Sequence, residues 1–345
     1  MPFVENIRNY RSLAIVGLEK NTGKTVCLNY LLRRLHELGI STAVTSIGVD
    51  GEKVDSVYAT AKPEITLYEG MQFITSEQHY FQRGLVSKIL AVDERRTALG
   101  RLVTAQALTQ GKVLLSGAAT TGLLRSQIDD FKRAGVLLTV VDGALSRLSL
   151  ASPTVTEAMI LATGAAVSPN IQQLVSKTRF AYRLINLEEA PEKLRLSFAQ
   201  ASLGLWAVDE AGEVHDLNIP SAFLLGRGEE NLFRYGTTLF AAGAVSDRLL
   251  KYLSRQPNVK EIVLVVQDFT KLFITLEAYA EFTRRGGTIQ VLQRSHLMAV
   301  CLNPTSPQGY TLNSAEACRQ LSEALECPVY DVVAGTRLNG ELSTQ

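Results

Sequence analysis

The apolar run Leu13-Ala14-Ile15-Val16 passes directly into Gly17-Leu18-Glu19-Lys20-Asn21-Thr22-Gly23-Lys24-Thr25 and then into an amphipathic segment. Few folds accommodate that order. A short apolar strand, a glycine-bounded loop and a Gly-Lys-Thr triplet opening a helix describe a phosphate-binding loop. In such a loop the backbone amides and the helix N-terminus offer donors and partial positive charge to phosphates. The lysine reaches the β- and γ-phosphates and the threonine hydroxyl holds Mg²⁺, which assigns those roles to Lys24 and Thr25. The candidate nucleotide-binding residues are Gly17, Lys20, Asn21, Thr22, Gly23, Lys24 and Thr25. Five residues separate Gly17 from Gly23, one more than in the usual spacing. The helix is expected over 26–38, with Leu28, Leu31, Leu32 and Leu35 on its apolar face and Gly39 as its stop.

A chain of 345 residues is too long for one small domain, and two are expected. Its 46% hydrophobic and 20% charged residues suffice for ordinary globular cores. A net charge of +1 gives no global argument for nucleic acid as a partner. The early residues Glu5, Arg8 and Arg11 are unlike a secretory signal, and no apolar stretch is long enough to span a bilayer. The expectation is a cytoplasmic protein without a membrane partner. Cys27, Cys301, Cys318 and Cys327 lack metal-ligand spacing and read as packing residues. Trp206 and the histidines at 36, 79, 215 and 296 read as packing or surface residues, and nothing supports a serine or cysteine triad.

Strand-like runs at 13–16, 42–47, 112–116, 136–141 and 159–167 alternate with helical patterns, notably 97–109 and 126–134. The alternation predicts an α/β protein: a parallel-sheet P-loop NTPase domain over 1–200, then a smaller Rossmann-like α/β domain over 236–335. An irregular join containing Pro220 and Gly226-Arg227-Gly228 occupies 201–235, and a polar tail 336–345. The second domain is expected to hold strands at 238–244, 261–266, 288–292, 297–302 and 328–333, with helices at 246–254, 276–285 and 314–325. It is the expected partner or ligand surface.

Ligands of doubly wound sheets sit at the carboxyl ends of strands, so the residues ending each run matter most. The second run leads into Gly48-Val49-Asp50-Gly51-Glu52, where Asp50 is suited to hold Mg²⁺ through water and Glu52 to orient or deprotonate an attacking water. Asp-Gly is also ordinary turn chemistry. Gly117, after the third run, lets the backbone approach a ligand closely. The fourth run ends in Asp142-Gly143, and a carboxylate after a buried strand is the usual second metal anchor. The fifth ends in Ala162-Thr163-Gly164, a small-residue edge suited to contact a base or substrate. Catalysis is assigned to Lys24, Asp50 and Glu52, and the metal to Thr25, Asp50 and Asp142. Asn303-Pro304-Thr305-Ser306-Pro307 and Gln267-Asp268-Phe269-Thr270-Lys271 read as loops of the second domain.

The loop spacing resembles dethiobiotin synthetase and P-loop proteins of the signal-recognition/MinD class, over the first domain only. The synthetases carry a Lys-Pro motif after the second strand and an acidic Mg²⁺ ligand after the third; here stand Thr45-Ser46-Ile47-Gly48 and Ser116. A MinD-type signature lysine falls at Glu19, with Lys20 one place away. A wider resemblance runs through Gly17–Thr25, Thr45-Ser46-Ile47-Gly48-Val49-Asp50-Gly51-Glu52, Val141-Asp142-Gly143-Ala144-Leu145-Ser146-Arg147, Leu161-Ala162-Thr163-Gly164-Ala165 and Asn303–Pro307. These segments look like the P-loop reactivase subunit that accompanies lysine 5,6-aminomutase, an enzyme of lysine fermentation using adenosylcobalamin and pyridoxal phosphate. The resemblance implies a Mg²⁺- and ATP-dependent accessory ATPase that works with a companion subunit to exchange damaged cobalamin on the aminomutase. Base-off cobalamin binding needs Asp-x-His-x-x-Gly; the nearest match, Arg34-Leu35-His36-Glu37-Leu38-Gly39, has arginine for the aspartate. No guanine-reading Asn/Thr-Lys-x-Asp motif is visible, which favours ATP over GTP. A stand-alone ATP-dependent ligase, a non-hydrolysing nucleotide sensor and a homodimer are the alternatives left open.

Overall fold

The computed structural model describes residues 3–47, 64–143, 151–198, 201–224 and 232–334. The chain divides into two compact units, one from Met1–Arg179 with His296–Gln345 and the other from Phe180–Ser295. Both are mixed α/β.

The first unit opens with the short helix α1 (Phe3–Asn6), then β1 (Ser12–Gly17), α2 (Lys24–Glu37) and β2 (Thr42–Ser46). There follow β3 (Ile65–Leu67), β4 (Gln72–Ser76), α3 (Glu77–Phe81), β5 (Ser87–Thr97), β6 (Gly100–Ala107), β7 (Gly111–Val113) and α4 (Thr121–Arg133). The chain then makes β8 (Leu138–Gly143), β9 (Ala158–Gly164) and α5 (Ile171–Ile185), the last crossing into the second unit. That unit contains α6 (Glu192–Ser197), β10 (Leu205–Val208), β11 (Val214–Ile219), β12 (Thr238–Ala241), β13 (Val245–Ser246), α7 (Asp247–Ser254), β14 (Val263–Val266), β15 (Leu272–Phe273), α8 (Leu276–Arg284) and β16 (Thr288–Val291). β17 (His296–Asn303), α9 (Ser314–Leu325) and β18 (Val329–Asp331) return to the first unit.

One nine-stranded sheet organises the first unit in the order β18-β17-β9-β1-β8-β2-β4-β6-β5. Neighbours from β18 to β4 pair parallel; β6 is antiparallel to β4, and β5 to β6. All of β1 is buried, which is why it reads as an unbroken apolar run rather than an alternating one. Neighbouring residues of one strand enter different cores, as the pleat requires. Val44, Phe73 and Val103 join Leu28, Leu31, Leu32 and Leu35 of α2, whereas Ala43, Ile74 and Leu102 join Phe131 of α4. Burying each of those leucines stabilises the unit by roughly 1.5–3 kcal/mol, so α2 is firmly anchored. The helix stops where Gly39 takes a φ of +66°, as expected of a glycine in that place.

The second unit has a sheet of order β11-β10-β12-β14-β16, parallel from β12 to β16 and antiparallel on the β10–β11 side. Phe198 stacks on Phe240 at 4.6 Å in its core with Val208, Val265 and Leu292.

Three expectations change. The helix expected over 97–109 is strand β6, with Val103, Ala105 and Ala107 buried on one face and the strand held between β4 and β5. Cross-strand pairing overrides the helical leaning of its Ala and Gln residues. The run at 112–116 supplies only β7, which pairs antiparallel with β3 outside the main sheet, before Ala118 bridges in parallel to Ile47. The second unit is an insertion of Phe180–Ser295 rather than residues 236–335 in tandem, because β17 pairs with β9 from His296↔Ala158 to Asn303↔Gly164. Alternation along a chain says nothing about which sheet a strand joins. A fragment of residues 180–295 is therefore expected to melt cooperatively by circular dichroism, and one of 236–335 to show no transition. The reverse result restores the tandem arrangement.

Candidate functional site

The carboxyl end of β1 stands between those of β8 and β9, and the loop after it is tied to β9 by Leu18 N–H donating to Ala162 O at 2.9 Å. Within the loop, the Thr22 hydroxyl donates to Glu19 O at 3.0 Å, and Thr22 is buried. Gly17 cannot carry a side chain, since a Cβ would lie 2.3 Å from Thr22 Oγ1. Asn21 and Gly23 take left-handed φ values of 62° and 90°, the turn that brings the chain round into α2.

Gly23 is the N-cap of α2, and no side chain caps that end. In α4, α8 and α9, Thr120, Thr275 and Asn313 accept from the first-turn amides, whereas α6 and α7, like α2, have no side-chain cap. The opening amides of α2 thus face the loop without a capping side chain, adding positive potential there. Asn21 Nδ2 is buried and has no hydrogen-bond partner among the described residues, an arrangement that costs free energy unless a ligand accepts from it.

Lys24 begins the helix and Thr25 follows it, both half-buried, while Lys20 is exposed on the loop. Burial lowers the Lys24 amine below the ordinary lysine value; Asp142 pulls it back up, and Lys20 lowers it further. Asp142 is half-buried near the end of β8, in register with Ile15 of β1 on one side and Ser46 of β2 on the other. The Ser46 hydroxyl donates to its carbonyl at 3.2 Å. Gly17 to Thr25 thus run from the end of β1 through the loop into the first turn of α2, with Asp142 close enough for its charge to act on Lys24.

The other assigned residues fall elsewhere. Asp50 and Glu52 lie outside the described residues. Gly117 is pressed against β2, where a Cβ would sit 1.5 Å from Ser46 O. Thr163 is fully buried, its hydroxyl 2.8 Å from that of Thr178 on α5. Ser116 is buried with its Oγ 2.7 Å from His79 Nδ1 and 3.4 Å from Ser76 Oγ. Glu19, at the signature-lysine position, pairs at 3.2 Å with Lys177 of α5.

Two neighbours were not assigned from sequence. Asn303, ending β17, packs against Gly23, whose Cβ would lie 2.5 Å from its Cβ. Lys177 bonds both Glu19 and Val167 O, the latter at 3.0 Å. Asn303 carried a signal as the residue ending an apolar run; Lys177 carried none. The histidines take structural partners: His36 stacks on Tyr68, His296 on Tyr10 and His215 on Tyr235, while His79 meets Ser116. Asp209, Glu213 and His215 gather at the β10–β11 turn, where Asp209 accepts from the His215 ring at 2.7 Å and from Glu213 N–H at 2.9 Å. Those bonds account for the cluster.

Comparison with protein families, curated proteins and solved structures finds no match for the chain.

Two outcomes test this geometry. Ser116→Ala strips His79 Nδ1 of a partner and should lower stability by about 1–3 kcal/mol, while metal-dependent nucleotide binding stays unchanged; selective loss of that binding would return Ser116 to the metal site. Lys24→Met removes an amine whose burial outweighs its attraction to Asp142, so the ligand-free melting temperature should rise by roughly 1–3 °C. A lowered folded-state pKa means the unfolded chain binds more protons, so wild-type stability recovers with rising pH. The gap between the two proteins should narrow from neutral pH toward the ordinary lysine range; a gap that widens contradicts the assignment.

Proposed function

We propose that the chain binds Mg²⁺-ATP at Gly17–Thr25 and hydrolyses it, with turnover that depends on a partner. The observation that carries this reading is an uncapped helix start holding a half-buried cation, Lys24, and a buried amide nitrogen, Asn21 Nδ2, unpartnered among the described residues, at the end of a central strand. Such a pocket of donors is unfavourable in the free protein and suits a polyphosphate. Its glycines let the loop pack closely, Gly17 against Thr22 and Gly23 against Asn303, and Gly23 takes the left-handed turn into the helix.

In this reading the loop amides and Lys24 hold the β- and γ-phosphates, and Lys20 adds attraction from the rim. Thr25 and Asp142 are the residues that would hold Mg²⁺, whose chemistry when bound is to offset charge on the transferring phosphoryl group. Asp50 and Glu52 are the proposed metal-supporting and water-orienting carboxylates. Phosphate charge beside Lys24 would restore its proton affinity and keep the amine cationic.

The finer proposal follows the resemblance of the motifs. The chain acts with a companion subunit to exchange damaged cobalamin on lysine 5,6-aminomutase in the cytoplasm. That role needs coupling, in which nucleotide changes affinity for the client and the client changes affinity for nucleotide by the same factor.

Ligand at a hundred times its Kd stabilises a fold by about 2.7 kcal/mol, so Mg²⁺-ATP should raise the melting temperature measurably. Lys24→Ala should abolish the shift, and an undiminished shift would sink the loop assignment. Asp142→Asn should slow Mg²⁺-dependent phosphate release more than it weakens metal-free nucleotide binding. With companion subunit and ATP, the chain should restore a mutase holding inactivated cobalamin, and Lys24→Ala should remove the rescue. ATP-dependent consumption of a small carboxylate by the chain alone would favour the ligase instead.

A further inference from the structure

We propose that a cavity at the amino ends of β1, β8 and β2, the end of the sheet away from Gly17–Thr25, binds a small organic anion with an apolar body, of the short-chain carboxylate class. The three strands are neighbours in the sheet, and the segments leading into them enclose a cavity of about 230 Å³. Sites for drug-sized ligands begin near ~300 Å³, so the occupant is smaller than those. Ile7, Leu38, Ile40, Leu137 and Leu138 supply the apolar wall, with Gly39 at the end of α2 between two of them. Leu137 stays 49% exposed there. Water solvates such a wall poorly, and an apolar ligand body would displace it.

The charge around the cavity has one sign. Arg8, Tyr10 and Arg11 complete the lining, and no Asp or Glu belongs to it. Arg8 and Arg11 are exposed, and neither guanidinium has a hydrogen-bond or ion-pair partner among the described residues. The neighbouring carboxylate of Glu157 accepts from the Arg11 backbone N–H at 2.6 Å, not from its guanidinium. Tyr10 is fixed by its ring, which stacks on His296 at 5.0 Å.

The backbone of the wall is already engaged. Leu137 and Leu138 N–H both donate to Ser41 O at 3.1 Å, and Tyr10 N–H donates to Ile7 O at 3.0 Å. The carbonyls closing α2 are taken as well, since Arg34, Leu35 and His36 accept from Leu38, Ile40 and Gly39. The negative end of that helix is therefore muted toward the cavity. The two guanidiniums are left as the main polar recognition groups, and their forked donors match a carboxylate. An anion without an apolar body would leave the wall wet, and an uncharged apolar molecule would leave both arginines without a counter-charge. A carboxylate on a short apolar chain answers both.

Hexanoate is the probe. Titrated into the full chain with labelled methyl groups, it should shift the nuclear magnetic resonance signals of Ile7, Ile40 and Leu138 saturably. Acetate, which lacks the chain, and hexan-1-ol, which lacks the charge, should each bind about tenfold more weakly or worse. The double variant Arg8→Gln with Arg11→Gln should raise the hexanoate Kd by about tenfold and leave hexan-1-ol binding unchanged. Both arginines are exposed, so circular dichroism should not change. Leu137→Asp puts a like charge at the exposed rim and should weaken hexanoate by a similar factor. Hexanoate that leaves these methyl signals unmoved, or that binds the double variant as tightly as the wild type, overturns the proposal. So does acetate or hexan-1-ol binding as tightly as hexanoate, which would reduce the cavity to a surface charge or to a bare apolar patch.

Discussion

β1 is paired on both sides, with β8 from Ser12↔Thr139 to Val16↔Gly143 and with β9 from Leu13↔Ala158 to Gly17↔Ala162. This double pairing sets the position of everything at the carboxyl end of the sheet. It puts Asp142 one strand away from the loop and ties Leu18 to Ala162. It also aims α2 so that its first residue is Lys24. The leucines of α2 then lock the helix onto the same sheet from which the loop springs. Loop, helix start and carboxylate are thus positioned by ladder hydrogen bonds and core packing.

What that rigid frame holds is locally unfavourable. An amine is kept where burial disfavours its charge, a buried amide nitrogen lacks an acceptor, and a helix begins without a side-chain cap. The polyphosphate proposed as ligand would relieve all three together. Ser116 with His79 and Thr163 with Thr178 are buried polar groups satisfied in the ordinary way, while Arg33, Gln127 and Arg195 also hold buried polar atoms without a hydrogen-bond partner among the described residues.

Local pattern made β1, α2, β8, β9, α7, α8 and α9 legible, because each has an apolar run or stripe with its own start and stop. Asp142 was legible as the polar residue ending a buried run. β6 was not, since its Ala, Gln and Leu residues suit a helix and only its neighbours β4 and β5 decide otherwise. The placement of β17 in the first unit, and hence of Asn303 against Gly23, depends on pairing with a strand more than a hundred residues earlier. No composition shift marks that return. The Ser116–His79 contact is hidden for the same reason, since residues from two separated segments make it.

The central claim is that Gly17–Thr25 receives a polyphosphate on its backbone amides, and amide hydrogen exchange of the full chain with and without Mg²⁺-ATP tests it most directly. Protection is predicted to rise at the amides from Leu18 to Val26, with little change in unit-one strands remote from the loop. Saturating Mg²⁺-ATP that leaves exchange in this segment unchanged, or that protects a different surface, would contradict the account.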